Sequence, residues 1–283
     1  MSSVVDLHAH VIAPDTLRYP LAPLGGKQSD WSRERPASFE AMLSAMDAAG
    51  ISRSVLVQAS TSYGHDNTYV AAAVAAHPKR FIGVFSVDVC ARDALERMRD
   101  WTERGLTGLR VFIAGHTASA KGARLDDPLS FPAWELAAAA GLPVSVQLRA
   151  AGLAQLEAML ERFPKARVVL DHMARPEIDS GPPYAAAAGL FALARFPNLH
   201  LKLTTHNVRE ARQGKATPES FFRKAVDAFG AQRIGWGSNY PAANGSLAGI
   251  LAEARAALAA LAPAEQDWIF HRTAQTLYPA LAK

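Results

Sequence analysis

The chain has 283 residues, a formal charge of +4, 49% hydrophobic and 20% charged residues, a balance that excludes a disordered or fibrous chain. Its single cysteine, Cys90, excludes an internal disulfide framework. No apolar run is long enough to span a membrane, and the basic residues do not cluster as on a nucleic-acid surface. The apolar opening is interrupted by Asp6 and too short for a secretory leader, so a cytoplasmic protein is expected.

Eight short apolar runs bounded by Gly, Pro or polar residues are predicted as buried parallel strands: 4–9, 54–58, 81–87, 107–112, 143–148, 167–171, 199–203 and 233–238. Between them lie amphipathic stretches with Gly or Pro punctuation at their ends. Helices are expected over 39–49 with Ser38 as cap, and over 66–76, 93–103, 131–140, 153–162, 183–195, 218–229 and 247–261, with one further helix after Pro263. Eight β-then-α units predict an α/β fold, a single (β/α)8 TIM barrel over 1–283 with an extra C-terminal helix; a doubly wound open sheet is the rival. The longest irregular segment, 11–36, follows the first strand and is placed to cover the mouth of a barrel.

His8 and His10 stand two apart at the end of the first strand, on one face and about 6.6 Å apart along it. Two imidazoles there can share a metal or polarise one carbonyl. His172 follows the sixth strand, where a backbone-bonded strand-end histidine is the plainer reading. Asn239 follows the eighth, where an ordinary turn residue would serve before Tyr240-Pro241.

Taken in order, His8-x-His10, Tyr63-Gly64-His65-Asp66-Asn67, Arg110, Asp171-His172-Met173-Ala174-Arg175-Pro176, Lys202 and Trp236-Gly237-Ser238-Asn239-Tyr240-Pro241 resemble the amidohydrolase superfamily. The likeness is to its amidohydrolase 2 branch, which holds 2-pyrone-4,6-dicarboxylate lactonase, sugar-acid lactonases and galactarolactone isomerase. It implies a hydrolase with His8, His10, His172 and Asn239 as catalytic residues. The family pattern places an Asp after the eighth strand as base and ligand; Asn239 stands there and cannot take a proton near neutral pH. Gln147 stands where metal-dependent members place a ligating His, and Ala242 replaces a further family His. The resemblance therefore implies no cofactor, or zinc held weakly by His8, His10 and His172.

Arg110, Arg149 and Lys202 are expected at the same mouth, where they would bind a substrate carboxylate; a solvated rim is the alternative. Tyr63, Asn67, Gln147 and His206 complete the expected substrate contacts, Arg209 is weaker, and His116 is either lid or surface. His65, His77, His200 and His271 read as structural. Three functions follow. In a lactone hydrolase, His8, His10 and His172 stabilise the oxyanion. In a lactone isomerase, a substrate hydroxyl attacks in place of water. The third is a barrel that binds without turnover. The expected partner is a small anionic lactone; a homo-oligomer is compatible with the sequence.

Overall fold

The computed structural model describes residues 3–112 and 124–282, so His116 lies outside the described residues. Eight parallel strands pair in chain order: β1 Val4–Ala9, β2 Ile51–Val57, β3 Phe81–Ser86, β4 Gly108–Phe112, β5 Val144–Gln147, β6 Val168–Leu170, β7 Leu199–Thr204 and β8 Ile234–Gly237. A parallel bridge between Ala9 and Tyr240 joins the last strand to the first. At that seam His10 N donates to Tyr240 O (2.8 Å) and Asn239 N to His8 O (2.7 Å). The sheet is therefore the expected (β/α)8 barrel, and the open-sheet alternative falls.

Helices α1 Phe39–Ala49, α2 Thr68–Ala76, α3 Ala94–Glu103, α4 Phe131–Ala139, α5 Leu153–Arg162, α6 Ala188–Ala192, α7 Pro218–Phe229 and α8 Leu247–Ala257 alternate with the strands. Ser38, Thr217 and Ser246 cap α1, α7 and α8 by accepting a backbone N–H three residues on. The helix expected over 183–195 is broken into 3-10 turns on either side of the five-residue α6. The helix after Pro263 is interrupted by a π turn over Trp268–Arg272. Behind it Tyr278, fully buried, packs with Val5, Val55 and Val84 and closes the end of the barrel opposite the strands' C-termini.

One irregularity decides which way the first strand aims its histidines. Asp6 pairs with Ser54 but Ala9 with Leu56, so β1 spends one residue more than β2 over this stretch. The bulge lets neighbours point the same way. Leu7 packs in the inner cluster with Val57 and Val84, while His8 reaches Lys202 across the barrel. Opposite the bulge, β8 carries Gly237, where an added Cβ would sit 2.6 Å from His8 Cβ and 2.9 Å from its backbone N. Gly237→Ala should therefore cost about 1–3 kcal/mol of stability, since backbone cannot yield as a side-chain tip can. An unchanged urea midpoint would contradict this account of the seam.

Candidate active site

Alternate residues of the strands face inward, and the four strands β4 to β7 deliver Arg110 from β4, Ser145 and Gln147 from β5, Asp171 after β6, and Lys202 and Thr204 from β7. Lys202 is fully buried. Its ammonium donates to Asp171 Oδ1 (2.8 Å), to His8 Nδ1 (3.2 Å) and to Ser145 Oγ. Three acceptors thus meet three N–H donors. Ser145 in turn donates to Asp171 Oδ1 (3.1 Å), and Arg110 Nη2 lies 3.7 Å from Asp171 Oδ2. Burial works against charge on Asp171, but Lys202, His8 and Arg110 outweigh it and hold the carboxyl well below its usual range.

A carbonyl and an ammonium partner fix the tautomers of His10 and His8. His10 Nδ1 lies 2.7 Å from Val57 O, which only accepts, so His10 carries its hydrogen on Nδ1 and a lone pair on Nε2. His8 Nε2, 3.2 Å away, must then be the donor. The ammonium on His8 Nδ1 demands the same arrangement independently. For His172 the key is Asn207: its Nδ2 donates to His172 O (2.8 Å) and its Oδ1 accepts from Thr204 N (3.0 Å). With that amide oriented, the Thr204 hydroxyl has Asn207 Oδ1 (3.3 Å) to donate to and can accept from His172 Nδ1 at 2.8 Å. That arrangement leaves His172 Nε2 bare.

The turn that carries His172 is strained. Residues His172, Met173, Ala174 and Arg175 have φ of 55°, 52°, 57° and 49°, one left-handed turn with no glycine in it. Each such residue costs about 1–2 kcal/mol. Asn239, with φ 56°, repeats the device after β8. Strain of this kind persists where the surroundings over-determine it, as at functional sites.

Above this floor lies a cavity of about 230 Å³ lined by His10, Arg110, Gln147, Arg149, His172, His206 and Asn239, with Trp31 and Arg175 at its edge. It gathers seven of the eleven sequence-predicted residues. His8 lies beneath, against His10. Lys202 is buried as a structural cation and does not stand free at the mouth. Tyr63 and Asn67 are outside the lining: the Tyr63 hydroxyl accepts from Ala13 N (2.8 Å), and Asn67 bridges to Ser86. Arg209 pairs with Glu253. Residues the sequence reading did not single out are Asp171, Ser145, Thr204, Asn207 and Trp31. Asp171 had a signal, a carboxylate two residues past inward-facing Val169 at a strand end; Thr204 and Asn207 had none. The segment 11–36 reaches over the mouth. Ala22 N and Leu24 N donate to Ser62 O and Ser60 O, Arg35 reaches Ala242 O, and Trp31 stacks on His10 at 5.3 Å.

The imidazoles are neutral near pH 7. Burial and the neighbouring Lys202 bring His8 down to about 4; burial and adjacent positive charge bring His206 to about 4; burial lowers His200 to about 4. His10 and His172 are pushed well below 6.5, by burial first and then by His8. Asp6 moves the other way, up to about 6 by burial, despite donors from Ser238 and His8 N. Unfolding between about pH 6.5 and 4 therefore protonates these five imidazoles and His65, likewise lowered by burial, and deprotonates one carboxyl. A group lowered in the fold loses stability as pH falls, so the net effect is loss. The urea midpoint should drop steadily from pH 7 to pH 5; a flat or rising profile would contradict these assignments.

A family model described as Amidohydrolase matches residues 5–280. The chain belongs to the amidohydrolase family. Over 118 residues it is 34% identical to L-fucono-1,5-lactonase of Burkholderia ambifaria, an alignment covering 41% of each chain. Among solved structures, a Pseudomonas putida protein assigned as a 2-pyrone-4,6-dicarboxylic acid hydrolase is similar, with TM-score 0.79 and 21% identity over 98% of both chains. A Burkholderia multivorans amidohydrolase with bound zinc gives 0.77 and 20%, over 98% of this chain and 99% of that one. His8, Asp171 and His172 of this amidohydrolase offer ligand atoms within 4.8 Å of one another, a set that overlaps the sequence-derived trio but brings in Asp171. No helix of the described residues is long and apolar enough to cross a membrane.

Proposed function

We propose that this amidohydrolase opens the ester ring of a small carboxylated lactone without a metal ion. One observation carries the reading: a cavity that joins a bare imidazole nitrogen on His172, a buried guanidinium on Arg110 and an exposed Arg149 that has no ion pair among the described residues. The relatives support the substrate class, being named for a lactone and for a pyrone dicarboxylic acid.

The donors do not fit a divalent ion. His8 Nε2 bears hydrogen, Asp171 Oδ1 accepts from Lys202, and Gln147 and Asn239 are neutral amides. A catalytic zinc ordinarily takes three good protein ligands; among the paired imidazoles only His10 and His172 present an Nε2 without hydrogen, and Asp171, whose Oδ2 has no hydrogen-bond partner, is held against Lys202 through Oδ1.

The proton count also reassigns the oxyanion. The N–H groups of His8, His10 and His172 are all engaged by His10, Val57 and Thr204. The donor left to meet a developing alkoxide is Arg110, whose Nε is buried without a partner. Charge-assisted hydrogen bonds from a desolvated guanidinium suit that task. His172 Nε2 takes the proton from attacking water and returns it to the ring oxygen as the C–O bond breaks. Asp171 next to it in sequence favours the transient imidazolium. Asn239 orients the nucleophile by hydrogen bonding. Arg149 binds the substrate carboxylate, and Gln147 Oε1, buried without a partner, accepts from a ring hydroxyl.

Asn239 also favours a second reading. With no carboxylate to activate water, a substrate hydroxyl held against the same carbonyl attacks at high effective molarity and exchanges one lactone ring for another.

An NMR time course over carboxylated and uncharged five- and six-membered lactones tests both readings. Free hydroxy acid from the carboxylated rings supports the hydrolase, ring exchange the isomerase, and silence on every lactone contradicts both. Asn239→Asp adds a carboxylate base beside His172, whose imidazole burial holds well below its ordinary range, so ring opening should rise. A folded Asn239→Asp with unchanged rate and products would reduce Asn239 to a turn residue.

A further inference from the structure

We propose that Lys202 keeps this site free of divalent metal: its ammonium occupies Asp171 as a resident cation and locks His8 in the tautomer that cannot ligate through Nε2. The inference rests on the metal-free reading above and supplies its cause.

The geometry of the histidine pair is otherwise suited to an ion. Two nitrogens bound at about 2.0–2.1 Å to one tetrahedral zinc lie about 3.3–3.4 Å apart, and His8 Nε2 and His10 Nε2 are 3.2 Å apart. A ligating imidazole ordinarily donates its other N–H to an acceptor behind it. His10 does so to Val57 O and His172 to Thr204 Oγ1; both are set as ligands. His8 is set the opposite way. Behind its Nδ1 stands the Lys202 ammonium at 3.2 Å, a group with hydrogens and no lone pair. Were His8 to bind a metal through Nε2, its proton would have to move to Nδ1 and face those hydrogens at full burial. Asp171 Oδ1, the natural acceptor for that proton, lies 3.7 Å from His8 Nδ1 but is bonded to Lys202 at 2.8 Å. One side chain thus removes a ligand, its supporting carboxylate and the negative charge that would favour an ion.

Removing the ammonium should reverse all three. In Lys202→Met, Asp171 becomes free to accept from His8 Nδ1, and His8 Nε2 can face an ion beside His10 Nε2, 3.2 Å away. Lys202→Gln, whose amide can accept from His8 Nδ1 and donate to Asp171, gives a second background in which the floor remains hydrogen-bonded.

The test is titration of chelator-treated wild type and both variants with Co²⁺, followed by the ligand-field spectrum, and with Zn²⁺ by calorimetry. The expected result is about one equivalent bound by at least one variant, about 100-fold tighter than by wild type. Adding Asp171→Asn should then weaken that binding about tenfold or more, as loss of a supporting carboxylate does. Should either variant be too unstable to titrate, zinc should raise its melting temperature while leaving the wild type's unchanged. Neither variant gaining affinity or zinc-dependent stability, with wild type also metal-poor, overturns the role of Lys202 and leaves the metal-free reading standing. A wild type that itself binds one equivalent as tightly as the variants overturns both.

Discussion

A single ammonium group without access to water orders the hydrogen bonds beneath the mouth of this barrel. Lys202 lies beneath the mouth with all three of its N–H bonds taken, by side chains from β1 and β5 and from the residue following β6. Burying an ion pair is weakly favourable at best, but breaking one strands an unpaired charge at a cost of about 3–5 kcal/mol. That asymmetry ties the strands into one register at the catalytic face. It also dictates protonation: the ammonium sets His8, His8 sets the contact with His10, and the Asp171 carboxylate beside His172 is kept ionised. The β1 bulge follows from the same requirement, because without the extra residue Leu7 and His8 could not both face inward.

The active face stores strain in two places, the left-handed turn after β6 and Asn239 after β8. Both lie at C-terminal strand ends, where barrel enzymes keep their chemistry. Around the first turn, Asn207 spends both ends of its amide holding His172, by its carbonyl and through Thr204. His172 is thereby held in orientation by residues that do not line the cavity. Such supporting contacts hold a site in geometry before substrate arrives.

The barrel was legible in the sequence because each strand is a short apolar run that two helices must cover, with Gly or Pro at the joints. His8 and His10 were legible as a pair because the two-residue spacing still puts both on one side where the chain leaves β1. The bulge itself was not, since nothing local in Val-Val-Asp-Leu-His distinguishes regular from irregular pairing. Asp-His-Met-Ala-Arg likewise has no glycine to announce a left-handed turn; the fold imposes it. Lys202 read as a rim cation because sequence shows which strand a charge is on but not how deep it sits. Tyr63 and Asn67 were expected at the substrate for a similar reason. Their polar groups are consumed by Ala13 N and Ser86, partners far apart in the chain.

The account turns on where the protons of three imidazoles reside. Nitrogen-15 NMR of the histidine side chains near pH 7.5, assigned by single His→Gln substitutions, reads this directly. His8 should show a hydrogen on Nε2 and a bare, hydrogen-bonded Nδ1, while His10 and His172 show the reverse. Protonation of His8 on Nδ1 would mean that Lys202 does not donate to it, and the electrostatic order described for this site would be wrong.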